Sequence, residues 1–394
     1  MKLLYYAPYS YGGLADYAHE QATALVNLGI SVTVLCSPNY PGDRSTNYTC
    51  LPILREIKPD RPLPNKLLKA IHYTQALHRN IKTLAQIIRE QSFQHVLFVS
   101  YGEYLAPLWS GELKRLAQQG VVFGAVIQEP VRDFVVGPLW WHRWSVASAY
   151  SFLRQAFVHE AIALDTVRPM PQLQTTVIPY GTHQFPAAEQ SAEQVRQELQ
   201  IPNRAKLLLA FGHIRDNKNL HLALDAMVDY PDIYLVVAGK CQSASQRPES
   251  FYQERAEALG IGDRCRWILD FISEEQAANL FTACDLVLLT YSARFRSASG
   301  VLNLAANYRK ACLASAGQGS LQAVVQHYGL GIWVAPDDVD AIRQGFQDWL
   351  THAPQPDWDR YFAENSWALN AQLVAKQFWG DRPQSVEEPC LTGS

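Results

Sequence analysis

Several common signatures are missing from these 394 residues. The seven cysteines (Cys36, Cys50, Cys241, Cys265, Cys284, Cys312 and Cys390) include no C-x-x-C pair, and their number is odd. That argues against a zinc site and against a disulfide framework, and it fits a reducing cytosol. No apolar run reaches about 18 residues, so no membrane-spanning helix is expected. The opening MKLLYYAPYSYGG has too short an apolar run for a secretory leader. Lys and Arg total 34 against 37 Asp and Glu, so nothing global attracts nucleic acid. The histidines show no H-E-x-x-H spacing, and His19 and His159 are expected to be structural. No G-x-G-x-x-G turn occurs, which disfavours a dinucleotide oxidoreductase. From Ser297 to Ser315 there is no Asp and no Glu.

The patterning that is present is α/β. KLLYYA is a short strand, YSYGG a turn, and Leu14, Ala18, Ala22, Leu25 and Leu28 recur at helical spacing before Gly29. ISVTVLC is the next strand, giving a β-α-β unit and hence a parallel sheet. Strands are also read at 95–100, 121–128, 156–160 and 175–181. THQFPAAEQSAEQ, from Thr182, reads as a linker. The pattern then restarts with KLLLAFG (206–212) and continues through 233–239, 264–272, 285–291, 310–315 and 331–335. The expected fold is two doubly wound, Rossmann-like domains facing a cleft. The first spans 1–184, with a C-terminal helical segment, 357–394, crossing back onto it. The second spans 185–356.

In such sheets ligands bind beyond the carboxyl ends of the strands. Three loops qualify. Gly12 and Gly13 precede a helix, where backbone N–H groups can approach a phosphate or sugar; a plain tight turn accounts for them as well. Gly212 ends a strand, and Arg215 and Lys218 follow. Forked guanidinium donors and a point charge suit a diphosphate, although cations also populate solvated loops. Ser297, Ser299 and Gly300 lie before a helix starting near Val301, whose N-terminal amides can hold an anion without a charged side chain; Ser299 as a simple cap is compatible with that role. DWD (Asp357 to Asp359) reads as helix N-terminal acids rather than a metal triplet. The Trp140, Trp141, Trp144 run is expected to pack in a core, with an interfacial helix as the alternative. The basic residues Lys66, Lys69, Arg79, Lys82 and Arg89 read equally as a solvated helix face.

Taken in order, GGLADYAHEQATALVNLGISVTVL, TVIPYGTHQF, LLLAFGHIRDNKNLHLALDAM, DFISEEQAANLFTACDLVLLTY and SGVLNLAANYRKACLAS resemble the retaining family 4 glycosyltransferases of the GT-B fold. The resemblance implies a nucleotide-sugar donor, UDP-linked above all, in the second domain. It also implies a saccharide or lipid-linked acceptor against the first, no metal and no further cofactor. Arg215 and Lys218 would stabilise the diphosphate. Phe271 and Ile272 would lie near the base. Ser297, Ser299, Gly300, Val301, Leu302 and Asn303 would form the phosphate and ribose side, with Gly12 and Gly13 opposite. Asp16, Gln128 and Glu129 would lie on the acceptor side. A role in bacterial exopolysaccharide or heterocyst-envelope polysaccharide synthesis, at the inner membrane surface, is implied with it.

The chain departs from the family where two glutamates often stand. Arg296 and Leu304 hold those positions, and Gln128 holds that of a common histidine. These departures keep open a second reading, a scaffold that binds nucleotide or glycan and supports a partner enzyme.

Overall fold

A computed structural model describes the chain except residues 41–46, 58–64, 129, 131–134, 160, 183–184, 242–245, 298 and 382–394. The chain divides into two units. Unit 1 is 1–181 with 366–394, and unit 2 is 182–365.

Unit 1 runs β1 (Lys2–Ala7), α1 (Gly13–Asn27), β2 (Ser31–Cys36), β3 (Thr49–Pro52), α2 (Lys66–Glu90), β4 (His95–Phe98), α3 (Ala106–Gln118), β5 (Val122–Val126), α4 (Leu139–Tyr150), β6 (Gln155–Val158) and β7 (Gln174–Val177). The strands form one sheet in the order β3-β2-β1-β4-β5-β6-β7, every pair parallel. Side chains alternate between two cores. Leu4 and Tyr6 of β1 enter the core under α2, α3 and α4. Leu3, Tyr5 and Ala7 enter the core under α1.

Unit 2 runs α5 (Ala192–Glu198), β8 (Lys206–Phe211), α6 (Leu220–Met227), β9 (Ile233–Ala238), α7 (Glu249–Ala258), β10 (Cys265–Ile268), α8 (Glu274–Ala283), β11 (Leu286–Thr290), α9 (Gly300–Asn307), β12 (Cys312–Ser315), α10 (Ser320–His327), β13 (Gly331–Trp333), α11 (Val339–Thr351) and α12 (Trp358–Glu364). Its order, β10-β9-β8-β11-β12-β13, is again wholly parallel. Leu207 and Leu209 face one core and Leu208 the other. In both sheets the strand order reverses beside the first strand, between β1 and β4 and between β8 and β11. Loops leaving those two strands diverge and open a crevice there.

The last helix, α13 (Trp367–Trp379), belongs to unit 1. Trp367, Ala371, Val374 and Phe378 fill the core under α1. Asn370 donates to Pro179 O (2.8 Å) and to Tyr17 Oη (3.2 Å) and accepts from Gln21 Nε2 (2.7 Å). Gln21 in turn accepts from Tyr5 Oη at 2.7 Å. A buried set of this kind holds firmly because every member is satisfied.

The sequence reading differs from the structure in several places. The crossing-back segment was expected from 357, but α12 stays in unit 2, where Trp358 and Tyr361 pack into its core. The expected linker ends early, because Ser191 and Gln194 form a capping box and start α5. The strand expected over 264–272 stops at Ile268; Asp270 Oδ1 takes the Phe271 N–H (2.8 Å) and Ser273 caps α8. β3, a short half-exposed edge strand, has too little apolar alternation to be read in advance.

Candidate functional site

The crevice between β8 and β11 is built from four loops. β8 ends at Phe211, and Gly212 turns the chain at φ +82°. A side chain at Gly212 would stand 3.5 Å from Lys218 Nζ and 3.8 Å from Val301 Cγ2. Gly212 therefore marks where the cationic loop and the start of α9 meet. Gly212 N–H donates to Ala238 O at 2.8 Å, and any side chain at Gly239 (φ +135°) would collide with the Gly212 carbonyl.

Arg215 is exposed and precedes a 3₁₀ turn, Asp216–Lys218. Lys218 bends back so that Nζ donates to Phe211 O at 2.6 Å. Burial, with the Arg215 charge second, lowers its pKa from 10.5 to about 8. Burial, then the charges of Arg215 and Lys218, also hold His213 below its ordinary value. The Asp216 carboxylate faces away, accepting from Arg247 N (3.1 Å) and Tyr252 Oη (3.2 Å). The positive charge gathered on this loop makes a field suited to an anion.

The facing loop follows β11. Tyr291 stacks on Phe295, centroids 4.0 Å apart, and its hydroxyl lies 2.9 Å from Ser299 Oγ. Ser299 caps α9, taking the Leu302 N–H on its carbonyl (3.1 Å) and hydroxyl (3.4 Å). Leu302, expected to offer its amide, thus has it occupied. Helix geometry leaves the amides of Gly300 and Val301 for a ligand. Asn303, expected on the ribose side, is buried; its Oδ1 accepts from Tyr361 Oη at 3.1 Å. That partner comes from α12, the helix the sequence reading assigned elsewhere. Ser297 is exposed. Phe271 is 80% exposed and Ile272 packs against the core, both beyond the edge strand β10.

Residues with no signal in the motifs hold the two loops together. Asp337 accepts from Asn219 Nδ2 (2.8 Å) and from Ala293 N (2.9 Å). Thr290 Oγ1 donates to Lys218 O at 2.9 Å. Gly317 and Gly319, after β12, pass so close to the carbonyls of Ala293 and Arg296 that a side chain would collide with either. Their position between strand and helix was the available signal.

In unit 1, Gly12 (φ +79°) caps α1 through its carbonyl, which accepts from Ala15 N (2.8 Å) and Asp16 N (3.2 Å). Gly12 and Gly13 are exposed with open space around them. Asp16 lies in the first turn, close enough to Tyr180 for its charge to help raise that phenol's pKa, after burial. Gln128 follows β5; Glu129 lies outside the described residues. Asp357 caps α12 at Arg360 N, and Asp359 pairs with Arg309. Among the described residues no cluster of three or more His, Cys, Asp or Glu could hold a metal. No described helix is long and apolar enough to cross a membrane.

The tryptophan run does not pack in the core as expected. Trp141 anchors α4 through Nε1 to Tyr104 O (3.1 Å), while Trp140 (65%) and Trp144 (51%) are exposed. A one-turn helix face holds both only if it looks outward.

Comparison with known proteins places this geometry. Residues 191–366 match the family described as Glycosyl transferases group 1. That match falls almost wholly within unit 2. The D-inositol 3-phosphate glycosyltransferase of Corynebacterium urealyticum is 27% identical over 210 residues, 49% of this chain and 47% of that protein. The chain thus aligns with about half the length of that relative. Sucrose-phosphate synthase from Thermosynechococcus elongatus superposes with TM-score 0.68 at 15% identity, covering 96% of this chain and 98% of that one. Anabaena HepE in complex with UDP-glucose superposes with TM-score 0.62 at 16% identity, over 96% and 95%. Its complex with UDP gives TM-score 0.68 at 13% identity, over 96% and 99%. At these identities the likeness is one of fold. The architecture is GT-B, with two parallel α/β sheets in one chain.

Proposed function

We propose that the protein is a metal-independent retaining glycosyltransferase. It moves a sugar from a nucleoside diphosphate, UDP foremost, to a hydroxyl of a saccharide or lipid-linked saccharide in polysaccharide synthesis. The observation that carries this is the meeting of Lys218, Gly212 and Val301 at the β8/β11 crevice, where burial and then the Arg215 charge hold the Lys218 ammonium's pKa down.

The hard step is loss of the diphosphate while the sugar becomes oxocarbenium-like. Arg215, Lys218 and the amides of Gly300 and Val301 are fixed donors aimed at that growing charge. Donors of this kind contribute roughly 3–4 kcal/mol each. A donor phosphate oxygen takes the acceptor proton, so no protein carboxylate is needed. That accounts for a first turn of α9 without acids. On this reading Gly12 and Gly13 offer backbone amides to a ligand at the carboxyl edge of the unit 1 sheet, and Asp16 and Gln128 serve the acceptor.

The exposed Trp140 and Trp144, with exposed Arg143, suit a cytoplasmic membrane surface carrying a lipid-linked acceptor. The inward turn of Asn303 favours a second reading, a nucleotide-binding scaffold for a partner enzyme, since the ribose side then lacks its expected group.

A thermal-shift panel of nucleoside diphosphates tests the proposal. UDP should raise the melting temperature, with turnover of UDP-glucose alongside. Stabilisation without any turnover or donor hydrolysis would select the scaffold. No response to any diphosphate would defeat both.

A further inference from the structure

One strand away from the diphosphate crevice, unit 2 has a second corner built of donors. β12 lies beside β11, with Thr290 opposite Ser315. The chain leaves β12 through Ala316, Gly317, Gln318 and Gly319 and enters α10 at Ser320. Ser315 Oγ donates to Tyr291 O and Gly317 N to Phe295 O, both at 2.9 Å, so this loop is tied alongside the one that follows β11. No side chain caps α10, because Gly319 holds the cap position. The amides of Ser320, Leu321 and Gln322 therefore have no partner within the helix.

Two further observations point these amides at a ligand. Ser320 is only 7% exposed, yet its hydroxyl makes no hydrogen bond among the described residues. As the first residue of the helix, its side chain leans toward the N-terminal end, where the amides emerge. A polar group buried in that state is costly until something binds it. Arg296 lies against the same loop. A side chain at Gly319 would collide with the Arg296 carbonyl, and one at Gly317 would stand 3.3 Å from Arg296 Cγ. Arg296 is exposed, and no described carboxylate pairs with it. From Ser297 to Pro336 the chain holds no Asp or Glu. Asp337, next in order, spends its oxygens on Asn219 Nδ2 and Ala293 N.

Helix amides, a hydroxyl and a guanidinium can all donate to one anion. A cation is repelled there, and a neutral hydroxyl leaves the guanidinium charge unanswered. A carboxylate or phosphate satisfies the whole set. On the function proposed above, the base lies toward Phe271 and Ile272, beyond β10, and the diphosphate lies at β8/β11. The order β10-β9-β8-β11-β12 then carries the sugar toward β12. Neighbouring strands are about 4.8 Å apart, the scale of one pyranose ring. In a hexose already carrying the diphosphate at C1, the compact anion is a carboxylate at C6.

We propose that the transferred sugar is a hexuronate, its carboxylate held by Arg296, Ser320 and the first-turn amides of α10. This rests on the donor reading above and names the class of sugar. UDP-glucose, which lacks the carboxylate, is then the weaker donor.

Titration calorimetry on the full chain compares UDP, UDP-glucose, UDP-glucuronate and UDP-galacturonate. One uronate should bind about 10- to 100-fold more tightly than UDP-glucose, the worth of one charged hydrogen bond. Turnover at low donor concentration should follow the same order. Arg296→Gln should erase that preference and leave UDP affinity unchanged. Ser320→Asp sets a carboxylate of its own at this helix end, which favours an acid, so the variant should fold and should also erase the preference. If UDP binds and neither uronate binds better than UDP-glucose, the subsite is overturned while the donor reading stands. If a uronate is preferred and both variants keep that preference, the carboxylate is held elsewhere and the assignment is wrong. If neither UDP nor any UDP-sugar binds, the donor reading fails and takes the hexuronate with it.

Discussion

Lys218→Met separates a ligand cation from a structural strut. Lys218 is largely enclosed, and its pKa falls from 10.5 to about 8 because burial penalises the charge, with Arg215 adding repulsion. Keeping it charged at neutral pH costs the fold about 3 kcal/mol, at about 1.4 kcal/mol per tenfold. Methionine removes that penalty. It also removes the charge-assisted bond to Phe211 O (2.6 Å), worth about 1.5–3 kcal/mol. The two nearly cancel, so the variant should melt within about 5 °C of the wild type, at about 2–4 °C per kcal/mol.

The sign with pH follows from linkage. Between pH 8 and 10.5 the unfolded chain keeps a proton the folded chain has released, so this position adds stability as pH rises through that window. Below pH 8 the full penalty applies. The variant should lack that rise in calorimetry. UDP affinity, by titration calorimetry at pH 7, should fall about 10- to 100-fold, the worth of one charged hydrogen bond. A variant destabilised by about 3 kcal/mol or more that still binds UDP within twofold of wild type would refute the argument. Lys218 would then be a strut for the Gly212 turn.

Three further outcomes are expected. Gly239→Ala drives a methyl into the Gly212 carbonyl at a backbone angle disfavoured for other residues, so it should both lower the melting temperature and weaken UDP binding. Normal UDP affinity at full stability would contradict the close approach. Asn370→Leu strands Gln21, Tyr17 and Pro179 O in the unit 1 core; urea unfolding should show a loss of about 2–4 kcal/mol, and a loss under 1 kcal/mol would show the network is slack. Trp140→Ser with Trp144→Ser removes exposed rings only. Melting should be unchanged while binding to anionic phospholipid vesicles in sedimentation drops several-fold; unchanged vesicle binding would remove the membrane argument.

Much of this architecture was legible in residue order alone. Continuous apolar runs such as KLLLAF and IYLVVA read as strands buried on both faces, and they lie in parallel sheets. Gly212, Arg215, Lys218, Ser299 and Gly300 were legible because strand-end loops recur at fixed places along such chains. What stayed hidden depended on which helix lands where. A reader of NLAAN sees in Asn303 a free polar side chain on the first turn. Only α12, arriving from 55 residues or so further along, buries it against Tyr361.

His159 shows the same division from the other side. Its place after a strand was visible, and a structural role was the natural expectation. Ile178 O then fixes the proton on Nδ1, and the absence of a partner at Nε2 among the described residues comes from packing that no local pattern encodes. The tryptophans reverse it: apolar type pointed inward, yet α4 is anchored through Trp141 and Ser145 to Tyr104 O, which leaves Trp140 and Trp144 outside. By itself the sequence determined most of the strands, the helices between them and the order in which their loops reach the sheet edge, because period and chain connectivity are local properties. The tertiary structure alone decided which side chains at those edges stay available and which are spent on neighbours, because that depends on contacts between segments far apart in the chain.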